Sequence, residues 1–191
     1  MSANNLRKVN DGVFVSQDLI VTIGPAEIAF VKAQAAANGR KRARICAHKS
    51  NDDTLHEMVI AISAQSYIHP HKHLGKSESF HIVEGAVDVV VFDDGGAVAD
   101  IIELGDPTTG RFFFCRLAPG AFHTLLIKTD FLVVHEVTNG PFSGEETVLA
   151  PWAPPEDQFA ETRKYIRHVA QLVKAHNSRL LRAAGDSKKA P

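Results

Sequence analysis

Between residues 58 and 137 apolar and polar positions change places in short runs, each with the length and the β-branched or aromatic content of a strand. The runs cover 58–62, 79–83, 86–92, 98–104, 111–117, 123–127 and 131–137. Turn signals separate them at Asp93-Asp94-Gly95-Gly96, Gly105-Asp106-Pro107, Pro119-Gly120 and Asn139-Gly140-Pro141. Strands this short and evenly spaced predict a closed antiparallel sandwich or barrel and argue against a parallel sheet with crossover helices.

Upstream, residues 42–48 alternate strictly. Ala43, Ile45 and Ala47 fall on one face, with Arg42, Arg44, Cys46 and His48 on the other. Gly24-Pro25-Ala26-Glu27 has the Pro and acid of a helix start, and the alanines that follow predict a helix ending in a left-handed stop at Asn38-Gly39. After a Pro-rich link at 151–155, Phe159, Thr162, Ile166, Val169, Val173 and Leu180 recur at helical steps. This amphipathic helix is expected to pack on the strands or on another protomer. The pattern divides the chain into a leading part, 1–57, within the same domain, a strand-rich part, 58–150, a helical extension, 151–184, and a flexible tail, 185–191. No internal repeat is evident.

Composition narrows this reading only a little. At 191 residues, 45% apolar and 23% charged, the chain fits one globular domain. A formal net charge of -1 offers no global field for nucleic acid or acidic membranes. Without an apolar run of ~18 residues or a leader pattern, the expectation is a cytoplasmic protein that does not insert into membranes. Cys46 and Cys115 sit apart in apolar runs and read as buried thiols.

The chemistry concentrates at His71-Lys72-His73-Leu74-Gly75-Lys76-Ser77-Glu78. Imidazoles two positions apart on a strand share a face, and a turn can return Glu78 to them. Nitrogen with carboxylate oxygen suits a divalent transition metal (Mn, Fe, Ni or Zn) and not Mg or Ca, which prefer oxygen shells. His123, opening a strand after the Pro119-Gly120 turn, is the candidate fourth ligand. Three His and one Glu would leave coordination positions open, as a catalytic metal needs.

His-x-His, four residues, Glu, six residues, Gly85, then a Pro/Gly turn and His123 resembles the two motifs of the cupin superfamily, small jelly-roll barrels that hold one metal. The resemblance implies a mainly β fold, a single cupin jelly-roll β-barrel with an N-terminal helix and a C-terminal amphipathic helix. It carries His71, His73, Glu78 and His123 onto the ligand positions. In the second motif Pro119 directly precedes Gly120, and Phe112 and Ile127 replace the usual Gly and Asn. Over most of the chain, segments such as Arg42-x-Arg44-x-Cys46-x-His48, Glu78-Ser79-Phe80-His81, His135-Glu136-Val137 and Ala150-Pro151-Trp152-Ala153-Pro154 resemble the WbuC-type cupin-fold metalloproteins. That family is associated with bacterial surface-polysaccharide gene clusters, and implies fold and metal but no reaction.

The other polar residues have competing readings. Arg42, Arg44 and His48 form either a solvated edge or a fork for a substrate carboxylate or phosphate. Lys76 and Arg116 are candidate rim contacts. Glu84 and His135 are candidates for proton transfer, with His135 also an alternative ligand. His81 should point away from the metal and His69 should sit at the mouth. Metal-assisted isomerisation or epimerisation of a small polar, sugar-derived or carboxylate molecule is the leading expectation. Fe(II)-dependent dioxygenase chemistry and a non-catalytic metal-stabilised binding or scaffold module are the alternatives. The expected partners are a small-molecule substrate and a second copy in a homodimer, and no nucleic acid.

Overall fold

The computed structural model describes residues 5–187, with side chains described as far as residue 178. The first elements are β1 (Leu6–Asn10), β2 (Val13–Ser16), α1 (Pro25–Ala37), β3 (Arg42–Cys46) and β4 (Leu55–Ser63). Then come β5 (His71–His73), β6 (Glu78–Glu84), β7 (Ala86–Phe92), β8 (Val98–Gly105), β9 (Phe114–Leu117), β10 (Phe122–Ile127) and β11 (Phe131–Asn139). A short β12 (Thr147–Leu149) and the long α2 (Phe159–Ser187) complete the chain.

Two sheets form, in the orders β1-β2-β3-β4-β11-β6-β9 and β12-β5-β10-β7-β8. The pairs β7 with β8, β6 with β9, β5 with β10 and β4 with β11 are all antiparallel and nested one inside another. One long ribbon, β4 to β7 against β8 to β11, is thus rolled across both sheets, which is the winding of a jelly roll. The fold is mainly β, as the strand pattern predicts. The jelly roll is built from a seven-stranded and a five-stranded sheet.

Alternation decides which residues meet between the sheets. Met58, Ile60, Ile62, Phe80, Ile82, Val87, Val89, Leu125, Leu132 and Val134 form the inner core. On the outer face of the larger sheet, Val31 and Ala35 of α1 cover Ala43, Ile45, Ala61 and Val133. Against the smaller sheet, Val169 and Val173 of α2 pack with Val90, Phe92 and Phe122. The amphipathic stripe therefore finds its partner within the chain, and Thr162 is buried with it while Phe159 is left exposed. Leu180 lies outside the residues whose side chains are described. Among the described residues no helix is long and apolar enough to cross a membrane.

Local chemistry accounts for most boundaries. Glu27 reaches back to the amide of Gly24, 2.9 Å away, and closes the first turn of α1. The helix stop differs from expectation: Asn38 is extended (φ -79, ψ 144), and the left-handed residue is Lys41 (φ 58), just before β3. Helix α2 also runs to Ser187, past the expected start of the tail at 185, and residues 188–191 lie outside the description. Gly85, between β6 and β7, has φ +90, and a Cβ there would stand 2.5 Å from Phe131 O and Thr129 Oγ1. Only glycine fits that corner.

Candidate metal centre

His71 on β5 lies directly opposite His123 on β10, so the smaller sheet brings the two imidazoles together with ring centroids 4.6 Å apart. His73, two residues on, projects from the same face. Glu78 opens β6 in the larger sheet and closes the group from across the sandwich. Ligand atoms of His71, His73 and Glu78 lie within 4.8 Å of one another. His123 Nε2 stands 3.1 Å from Glu78 Oε2, and His73 Nε2 stands 3.8 Å from Oε1.

The outer nitrogens are already engaged. His71 Nδ1 is 2.8 Å from His69 O, His123 Nδ1 is 3.1 Å from Ala121 O, and His73 Nδ1 is 3.2 Å from Thr147 Oγ1. A carbonyl can only accept, so Nδ1 donates in His71 and His123, and Nε2 is the atom each leaves to face a metal. Metal-ligating imidazoles are oriented in this way. Burial above all, with His123 beside it, depresses His71 to about 4, and burial lowers His73 as well, so both stay neutral as ligation requires. Burial opposes the charge of Glu78, but the His123 hydrogen bond and the neighbouring imidazoles outweigh it and hold the carboxyl below its usual range. Three imidazole nitrogens and one carboxylate fit a divalent transition metal.

A carboxyl that sequence reasoning did not single out stands beside this group. Glu136 faces inward from β11, opposite Phe80 and Met58. Burial first, and then the negative Glu78 to which it is hydrogen-bonded, push it well above the usual carboxylate range. Alternation from Val134 would have found it, but only with the inner face of β11 known. The sequence reading instead grouped His135 with Phe131 and Val133, and that face turns out to lie toward α1.

The proposed proton-transfer pair is accordingly corrected. His135 is on the outer face, 3.9 Å from Glu57. Glu84 is turned outward by an extra residue in β6 between Ile82 and Glu84, and is ion-paired with Lys32 of α1. His81 points outward and packs on Phe113, and His69 is bonded to Ala150 O, 3.1 Å away.

The ligand group opens into a cavity of about 550 Å³ between the sheets, with Ile60, Ile62, Ile68 and Leu125 among its walls. Arg42 borders it but is tied to Tyr67 O and to Glu156, at 2.7 and 2.5 Å. Lys76 is buried and held by Pro141 O at 2.6 Å and Glu146 at 3.0 Å. Arg116 lies outside the cavity lining, on the exposed side of β9, and donates to Ser77 Oγ at 2.8 Å. Arg44 is different. It donates to the Met58 sulfur at 3.8 Å, is hydrogen-bonded to the Cys46 thiol and reaches Glu136 with its charge, while no carboxylate lies within ion-pair distance among the described residues. His48 also lines the cavity, bonded through Nδ1 to Glu57 O and stacked on His56 at 4.1 Å.

Residues 23–104 match the family model described as a domain of unknown function (DUF6016). Among curated proteins no sequence relative is found. Solved structures similar to this chain include the protein SO0799 of Shewanella oneidensis, at 14% identity and TM-score 0.49, over 68% of this chain and 84% of that one. The cupin domain of Schizosaccharomyces pombe Cnp3 aligns at 13% identity and TM-score 0.40, over 52% of this chain and 64% of that one. The oxalate decarboxylase of Lactobacillus farciminis aligns at 18% identity and TM-score 0.41, over 51% of this chain and 27% of that one. All three scores fall below 0.5, and the jelly-roll assignment rests on the chain's own strand pairing.

Proposed function

We propose that this chain is a metal-dependent enzyme acting on a small anionic molecule, with His71, His73, Glu78 and His123 as metal ligands. The carrying observation is the convergence of three imidazole Nε2 atoms on one carboxylate while their Nδ1 atoms are held from outside. A bound divalent transition metal supplies a Lewis acid at the closed end of the cavity. Arg44, without an ion-pair partner among the described residues, is the cation to orient a substrate carboxylate or phosphate, because Arg42 and Lys76 are already paired. Glu136, its carboxyl pushed upward by burial and hydrogen-bonded to Glu78, is positioned to exchange a proton with a substrate oxygen.

Isomerase or epimerase chemistry on a sugar-derived substrate is the reaction class this favours, in keeping with the resemblance to WbuC-type proteins and their surface-polysaccharide association. A proton-exchanging group within reach of the ligand group is what separates an enzyme from a binding module, and Glu136 is the candidate.

Elemental analysis of anaerobically purified protein tests the centre. The expected result is one transition metal per chain, lost in His71→Ala and in His123→Ala. Retention of one metal per chain by folded His71→Ala protein would overturn the assignment.

A further inference from the structure

The larger sheet has seven strands to the smaller one's five. Strands β1, β2 and β3 extend the larger sheet beyond β4. Their inner face can be followed by register. Arg7 pairs with Val15, Val15 with Cys46, and Val13 with Arg44, while Arg44 pairs with Ile60. Val15, Cys46 and Ile60 belong to the inner core, so Arg7 and Arg44 project from that same face. Strands β1 and β3 are two spacings apart, about 10 Å, which two arginine side chains can span toward a common ligand.

These residues border a second cavity of about 320 Å³, lined by Arg7, Arg44, His48, Lys49, Ser50 and Asn51 over a floor of Val9, Val13, Val15 and Cys46. Arg44, His48, Asn51, Val9 and Val13 also line the larger cavity, so the two chambers share a wall. No carboxylate lines the outer chamber. Lys49 Nζ is satisfied by two carbonyls, Ser16 O at 2.7 Å and Asp18 O at 2.6 Å, which leave its charge unneutralised. Neither Arg7 nor Arg44 has a carboxylate within ion-pair distance among the described residues. Asp53, the nearest acid of the 48–53 loop, is occupied by the amide of Lys49 at 2.8 Å.

We propose that this outer chamber binds the phosphoryl group of a small-molecule substrate whose other end reaches the histidine cluster. A planar carboxylate fills one guanidinium fork, whereas the three terminal oxygens of a phosphoryl group engage two forks at once. The volume exceeds that of a lone carboxylate and leaves room for the linking atoms. The proposal rests on the metal centre described above only for what lies at the far end.

The test is titration of the full chain with inorganic phosphate and, separately, succinate, read by calorimetry, with metal content measured on the same samples. Saturable phosphate binding is expected, at least tenfold tighter than succinate and weakened at least tenfold in Arg7→Ala and in Arg44→Ala, with metal content unchanged. Arg7→Lys and Arg44→Lys keep the charge and lose the fork, and should fall between wild type and the alanine variants. Absence of phosphate binding, succinate binding as tightly, or phosphate binding unchanged in Arg7→Ala would overturn the proposal, the last because the anion would then sit on the metal. Metal without Arg-dependent phosphate binding refutes the chamber alone. Arg-dependent phosphate binding without metal refutes the centre alone.

Discussion

Thr147 holds His73 through its hydroxyl, and it is the side-chain partner among the three contacts to ligand Nδ1 atoms. Removing an outer hydrogen bond of this kind costs about 10–100-fold in metal affinity. Thr147→Val, which keeps shape and loses the hydroxyl, should weaken metal binding by roughly tenfold in chelator competition. An unchanged affinity would show that His73 is oriented by the backbone alone. Gly85 makes a different demand. Its positive φ and the 2.5 Å approach of Phe131 O leave no room for a Cβ. Gly85→Ala should lower unfolding free energy by about 2–3 kcal/mol in denaturant titration. The motif glycine is thus a packing residue for the β6–β7 corner and touches no ligand.

Helix α1 is fixed by a few small contacts of high quality. Val31 is fully buried against Ala43, Ile45 and Ala61, and Val31→Ala should cost about 2 kcal/mol by loss of two buried methyl groups. The Lys32–Glu84 pair beside it is partly exposed on both sides, so Lys32→Ala should cost less than about 1 kcal/mol, measured in the same titration. The contrast checks whether burial or charge docks the helix. The strand pattern made β4, β6, β7, β8, β10 and β11 legible, because each alternates or carries β-branched residues over at least one full core face. It did not reveal β5 or β12, three residues each, whose existence depends on partners distant in sequence. The grouping of His71, His73 and Glu78 was legible because the chemistry of a metal site fixes such a spacing. Glu136 was not, because which face of β11 is inner is decided by where α1 docks, and Glu84 was misplaced because one extra residue reverses parity.

At the scale of the whole molecule, ligands from both sheets make metal binding a clamp across the sandwich. Anything that binds only the folded state adds stability, about 2.7 kcal/mol at a hundredfold excess over Kd. Stripping the metal with a chelator should therefore lower the melting temperature by several degrees, and re-addition should restore it. A melting temperature indifferent to metal would mean that Glu78 is not shared with the imidazoles in solution.

The pairing of His71 with His123 has a further consequence, for the order of events as the chain folds. Each imidazole sits on a different limb of the rolled ribbon, so neither can find the other until the loop between them has closed and the ribbon has rolled. Contacts so distant in sequence form late and slowly, because chain entropy is lost before they repay it. The nascent chain therefore offers only the local His71, His73 and Glu78 set, and full coordination certifies that the jelly roll has closed. Uptake of metal at the proposed centre would in this sense be a completion signal, and a destabilised variant should betray itself first as a protein that folds in outline yet captures its ion sluggishly.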